Sequence, residues 1–134
     1  MIRYMLDTDI CIYLIKEKDP GLRVRLREAV IGSVCLSAIS MAELSYGTEK
    51  SSQVDRNRLA LTLFLAPVEI LPFSSAAALV YGALRQRLEC RGKVIGAYDM
   101  LIGAHALAEG LTLVTNNTNE FKRIEGLKVE NWVS

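Results

Sequence analysis

Short apolar runs alternate along the chain with longer segments whose apolar residues recur at helical spacing. Ile2–Leu6 is apolar, ends at Asp7 and predicts a first strand, with Thr8 or Asp9 placed to cap a helix through Leu14. Gly21–Val30 carries Leu22, Leu26 and Ala29 at helical spacing, with Arg23, Arg25 and Arg27 mostly outward. Ser33–Ser37 predicts a second strand. Ser40 then caps a helix through Met41, Glu43 and Leu44 that stops near Gly47, with Glu43 at capping-box spacing. Val54–Ala66 predicts a longer helix with Leu59, Leu63 and Phe64 inward, and Val68–Leu71 a third strand stopped by Pro72. Ser74–Arg91 reads as a long Ala-rich helix with Gly92 just past its end, and Ala97–Glu109 as another closed by Gly110. Leu111–Thr115 and a short Leu127–Glu130 complete the strands.

Strands separated by helices need crossover connections, which predicts an α/β fold with a mostly parallel sheet covered on both faces. The 134 residues are a prior for one domain over 1–134 and suffice for a core of their own. Hydrophobic residues make up 51% and charged residues 23%, a globular balance. Sixteen cations against 15 acids exclude a uniformly basic coat or an acidic tail and leave local clusters open. Three cysteines without CxxC spacing argue against a disulfide framework and for a reducing compartment. The apolar runs fall short of the ~20 residues of a membrane span. The expectation is a soluble cytoplasmic protein.

In open parallel sheets ligands bind beyond the carboxyl ends of the strands, and those positions are acidic or polar here. Asp7, Thr8 and Asp9 follow the first strand, Glu43 follows the second, and Asp99 opens the helix leading to the fourth. Thr115, Asn116, Asn117 and Glu120 follow that strand. Grouped carboxylates repel one another and are driven toward protonation. A divalent cation relieves that, and oxygen donors without His or Cys point to Mg²⁺ or Mn²⁺. Such a site suits phosphodiester hydrolysis. Each residue alone has a plainer reading: Asp7 as a helix cap, Glu43 as half a capping box, Asp99 as a favourable charge at a helix start, Asn116 and Asn117 as a turn.

Other candidates read differently. His105 lies six residues after Asp99, about 240° around a helix, and is expected in the core or an interface. Cys11, Cys35 and Cys90 are expected as buried packing residues. Ser37 and Ser40 have no evident partner histidine, which argues against a hydrolase triad. Arg85, Arg87, Arg91 and Lys93 crowd one helix end. They either hold phosphates beside a metal or only meet the helix dipole. Tyr46, Tyr81 and Tyr98 are either base-stacking rings or core residues.

Four stretches occurring in this order carry a resemblance: Met5–Lys16 (MLDTDICIYLIK), Ser37–Gly47, Gly96–Ala106 (GAYDMLIGAHA) and Leu113–Phe121 (LVTNNTNEF). Together they resemble the PIN-domain nucleases, and among these the VapC toxins of bacterial VapBC toxin–antitoxin systems. The resemblance implies an α/β/α sandwich and a Mg²⁺- or Mn²⁺-dependent endoribonuclease whose three acids map onto Asp7, Glu43 and Asp99. It implies structured RNA as substrate, with tRNA, and the initiator tRNA anticodon region in particular, as the target of the most similar relatives. It also implies a homodimer and a VapB-like antitoxin covering the cleft, in a hetero-oligomer that can hold operator DNA. Ile12 and Tyr13 are expected to line the antitoxin groove.

The chain departs from that pattern twice. Asp9 stands where Asn or Ser is common, and Asn117 where many relatives carry Asp. Asn117 or Glu120 is therefore the candidate for assisting a second ion, with Thr8 and Thr115 orienting ligands or water. Two other readings compete. Asp7-Thr8-Asp9 fits the D-x-D of haloacid-dehalogenase phosphatases, which use the first Asp as a covalent nucleophile. The third is a regulatory partner that binds RNA or an antitoxin–DNA complex without cutting.

Overall fold

The computed structural model describes residues 1–29 and 32–133. β1 (Tyr4–Leu6), β2 (Val34–Ser37), β3 (Glu69–Leu71), β4 (Thr112–Val114) and β5 (Val129–Glu130) form one sheet in the order β3-β2-β1-β4-β5. Every neighbouring pair is parallel, with Met5 opposite Cys35 and Leu6 opposite Val114. The helices are α1 (Thr8–Ile15), α2 (Pro20–Glu28), α3 (Ala38–Glu49), α4 (Val54–Leu65), α5 (Ser75–Cys90), α6 (Ala97–Ala108) and α7 (Thr118–Phe121).

Successive side chains of a strand point to opposite faces, and this divides the core in two. Met5, Cys35 and Leu113 face α5 and α6, where they meet Leu84, Leu88, Met100, Ile102 and Phe121. Leu6, Leu36 and Val114 face the other way and meet Ile10, Leu14, Leu22 and Leu44 of α1 to α3. Both faces of the sheet are thus dry, as a parallel sheet requires. Each fully buried side chain of this size stabilises the fold by roughly 1.5–3 kcal/mol. The three-layer α/β/α reading holds, and β1 lies at its centre with Asp7 directly after it.

Several local expectations are corrected. Asp7, not Thr8 or Asp9, caps α1: it has extended backbone and its carboxylate accepts from the Thr8 amide. Ser37, not Ser40, caps α3, because β2 runs into α3 without a loop and the Ser37 hydroxyl accepts from the Ile39 amide. Glu43 therefore closes no capping box, and α3 continues through Gly47 to Glu49. Leu59 and Leu63 are 61% and 67% exposed, while Leu61, Phe64 and Leu65 pack on the core. The segment from Leu59 to Leu65 is apolar on nearly every side, so spacing alone does not fix its phase. Cys11 and Cys35 are buried, but Cys90 is exposed on the last turn of α5. Helix α2 starts at Pro20 and ends at Glu28, and Val30 lies outside the described residues. The four-residue α7 was not anticipated from the sequence. Gly92 and Gly110 take φ of +64° and +68° just past α5 and α6, as the sequence predicts for helix stops.

Candidate metal centre

The strand order places the ends of β2, β1 and β4 side by side, and the acids follow from that. The Asp7 amide donates to the Val114 carbonyl, extending the β1–β4 ladder one residue beyond the strand. Its carboxylate is 2% exposed and is held on both oxygens. The Thr8 amide donates to Oδ1 at 2.7 Å, and the Thr115 hydroxyl donates to Oδ2 at 2.8 Å. The Thr115 oxygen in turn accepts from the Asn117 amide at 2.9 Å, which fixes the turn after β4.

Glu43 stands on α3 facing α1. The Thr8 hydroxyl lies 2.7 Å from its Oε1 and 3.1 Å from the Ser40 oxygen. One hydroxyl proton serves one acceptor, so Thr8 donates to the carboxylate and Ser40 donates to Thr8. Ser40 is fully buried. It thus belongs to the chain that orients Glu43, a role that a helix-cap reading of the S-x-x-E spacing conceals.

Asp99 is half-buried in the first turn of α6, and among the described residues no hydrogen bond reaches its carboxylate. Its environment is electrostatic. Burial, then the charges of Glu120, Glu43 and Asp9, raise its pKa to about 6. Burial also pushes Asp7 up to about 7; Asp99 and Asp9 add to this, while the bonds from Thr115 and Thr8 oppose it. Five acids therefore share one field: Asp7, Asp9, Glu43, Asp99 and Glu120. Asp9 is exposed on α1, Asn117 and Glu120 are half-buried at α7, and Asn116 is exposed and turned toward Asn131.

This donor set is all oxygen and is burdened with repulsion that a hard cation removes. That chemistry fits a divalent metal. Among the described residues, no three Asp, Glu, His or Cys side chains already stand in ligating arrangement. The acids ring the site without converging on a point.

Other expected residues are placed as follows. Arg85 is tied to Glu89 and to the Tyr81 hydroxyl, and Arg91 to Glu125 at 3.5 Å. Arg87 and Lys93 are exposed and carry no ion pair among the described residues. Arg85 and Arg87 lie on the last two turns of α5, and Arg91 and Lys93 in the α5–α6 turn that delivers Asp99. Arg123 donates to the Val94 carbonyl of the same turn; its role was not legible in the sequence. Tyr46 and Tyr98 are exposed rather than in the core, whereas Tyr81 packs against it. His105 is fully buried as expected, and its pKa is lowered by burial. It does meet a serine, contrary to expectation: Nδ1 lies 2.8 Å from the Ser37 oxygen. Both groups are sealed from solvent, so the pair is no nucleophile.

A groove of about 690 Å³ runs between α1, α3 and α4 and reaches Glu43, with Ile12, Ile15, Leu44 and Leu61 on its walls. Tyr13 is not part of it; its ring lies under the Lys18 ammonium.

A family model described as PIN domain matches residues 4–127. The chain is 45% identical to ribonuclease VapC2 of Rickettsia felis, over 96% of this chain and 97% of that one. It is 40% identical to the tRNA(fMet)-specific endonuclease VapC of Shigella flexneri, over 98% and 99%. Among solved structures, VapBC2 from Rickettsia felis bound to a DNA fragment of its promoter superposes with a TM-score of 0.92 at 44% identity, covering 98% of this chain and 99% of that one.

Proposed function

The chain belongs to the PIN-domain family, and from that premise we propose that it is a divalent-metal-dependent endoribonuclease, the toxin of a toxin–antitoxin pair. One observation carries the reading: a carboxylate buried at the end of the central strand, Asp7, is gripped on both oxygens and feels the charges of Asp99 and Asp9, while Asp99 in turn feels Glu120 and Glu43. A fold keeps so costly a group where chemistry needs it.

Asp7, Glu43 and Asp99 are the residues that would hold Mg²⁺ or Mn²⁺, with Asn117 or Glu120 assisting. A bound ion of this kind supplies a water of lowered pKa and neutralises charge on a phosphate. The protein's own part is positional. Thr115 and the Thr8 amide fix Asp7, and the Thr8 hydroxyl fixes Glu43. Asp9 stands exposed at the rim and adds its charge to the field on Asp7 and Asp99, and Asn116 stands exposed beside Asn131. Arg85, Arg87, Arg91 and Lys93, on the end of α5 and in the turn after it, bind RNA phosphates, Arg87 and Lys93 without giving up an internal ion pair.

The substrate is structured RNA of the tRNA class, the initiator tRNA first among them. The partner is a VapB-like antitoxin whose apolar segment lies in the groove beside Ile12 and ends at the acids. The toxin is a homodimer and joins its antitoxin on operator DNA. Residues 1–134 act as one catalytic unit in the cytoplasm; among the described residues no helix is long and apolar enough to cross a membrane. The phosphatase reading loses its ground because Asp7-Thr8-Asp9 lies within the PIN match, and the non-catalytic reading because the relatives of that match are named as nucleases.

The test is incubation of total RNA and of initiator tRNA with the protein and Mn²⁺, with an EDTA control and mapped ends. Cleavage that needs the metal and leaves 5′-phosphate and 3′-hydroxyl ends is the expected result. Cyclic-phosphate ends would overturn the mechanism.

A further inference from the structure

Asp7 and Glu43 are located by side-chain hydrogen bonds, and Asp99 is not. Its position is set by where α6 sits. Among the described residues, one side-chain hydrogen bond joins α6 to the β2–α3 segment, that between His105 Nδ1 and the Ser37 oxygen at 2.8 Å. Ser37 is the last residue of β2 and the cap of α3, the helix that carries Glu43. The same imidazole meets Phe73, between β3 and α5, edge to face at 5.3 Å. His105 is fully buried, and its Nε2 faces the Pro72 carbonyl in a contact looser than an ordinary hydrogen bond. An apolar residue would fill this place without the cost of taking an imidazole out of water. The histidine therefore serves something other than packing.

We infer that His105 is a positioning residue: its bond to Ser37 locks α6 against the β2–α3 junction and so sets Asp99 relative to Asp7 and Glu43. His105 and Asp99 are six residues apart on one rigid helix, about 9 Å along its axis, so a shift at the anchor is carried to the acid. The Ser37 hydroxyl already accepts from the Ile39 amide, and its proton is free to go to Nδ1. That assignment leaves the proton of the neutral ring on Nε2.

This inference rests on the metal-site reading above, and its test separates the two. Mn²⁺ affinity of the metal-free protein is measured by calorimetry, beside kcat and KM on a tRNA, for wild type, H105L, H105N and the double variant S37A/H105L. Circular dichroism checks that each is folded. H105L is expected to weaken Mn²⁺ binding on the order of 10–100-fold, as loss of an outer support does, and to lower kcat while KM for RNA holds. H105N places an amide where Nδ1 was and is expected to recover most of the loss. S37A/H105L is expected to match H105L in Mn²⁺ affinity and to melt lower, because it also removes the cap of α3. A folded H105L with wild-type Mn²⁺ affinity, or an H105N as weak as H105L, overturns the inference alone. A wild type that neither binds Mn²⁺ nor cuts RNA overturns the functional reading with it. If H105L does not fold, a Mg²⁺ titration of wild type followed by nitrogen NMR decides. The His105 ring signals are expected to move in step with the Asp99 amide; ring signals that stay still while that amide moves overturn the proposal.

Discussion

Asp7 and Glu43 are gripped by hydroxyls and an amide, whereas Asp99 and Glu120, across the same cleft, are held by no side-chain hydrogen bond among the described residues. The first side is assembled from β1, α1, α3 and β4, whose contacts are also core contacts. The second side projects from α6 and α7. The first wall is therefore preorganised at the expense of a deeply buried charge. The second is adjustable within the reach of its side chains. A divalent cation bound there would be held by the fixed ligands of the first wall, with the second wall free to adjust to it.

The largest expected effect tests the fixed wall. Asp7→Asn is expected to cut RNA cleavage on the order of 10³-fold or more, yet to raise the melting temperature of the metal-free protein at pH 8, since it removes an ionised group from a buried site. Asp99→Asn is expected to lose cleavage comparably while gaining less stability, because Asp99 is only half-buried. Equal gains in thermal scans would erase the distinction between the walls.

The next effect is pH dependence without metal. The Asp7 pKa rises from 3.8 to about 7 on folding, so the folded state holds its proton more tightly than the unfolded chain does. Asp7's contribution to stability is then full below about pH 4 and is lost as pH rises through 7. Melting temperatures between pH 5 and 8 are expected to fall for wild type and to fall less for Asp7→Asn. Saturating Mg²⁺ at pH 8 is expected to restore the loss; parallel curves for the two proteins would refute this.

A smaller effect sharpens the hydroxyl contribution. Thr8→Val leaves Glu43 and Ser40 without their shared partner, at a cost of about 1–3 kcal/mol in denaturant titration, and is expected to weaken Mn²⁺ binding about tenfold. The smallest concerns the exposed end of α5 and the turn after it. Arg87→Ala with Lys93→Ala is expected to leave stability within ~0.5 kcal/mol, to raise KM for RNA several-fold, and to make binding less sensitive to salt. Loss of stability there would show that these cations hold the fold.

Much of this was legible because the core obeys local rules. The short apolar runs Ile2–Leu6, Ser33–Ser37 and Leu111–Thr115 give the strands, and the parallel arrangement then brings the residues after them together. Asp7, Glu43 and Asp99 stand among the residues so gathered, and the resemblance to the PIN-domain nucleases singles them out. Three things escaped. The phase of α4 is hidden in a run that is apolar all round, so Leu59 and Leu63 were misassigned. The S-A-I-S-M-A-E stretch offers two serines as caps, and only the absence of a loop after β2 selects Ser37. The bond from His105 to Ser37 spans 68 residues and leaves no spacing that a linear reading detects.

The all-parallel sheet also bears on how the protein is made. No strand pairs with a neighbour through a hairpin, so every ladder waits for a distant segment, a topology that folds slowly. The clamp on Asp7 comes from Thr115, 108 residues later, and the Thr115 amide is itself held by the Glu130 carbonyl. During synthesis the amino-terminal four-fifths of the chain can leave the ribosome carrying Asp7, Glu43 and Asp99 and still lack the strand that fixes the first of them. The grip on Asp7 is therefore complete only once β4 and β5 have docked beside β1.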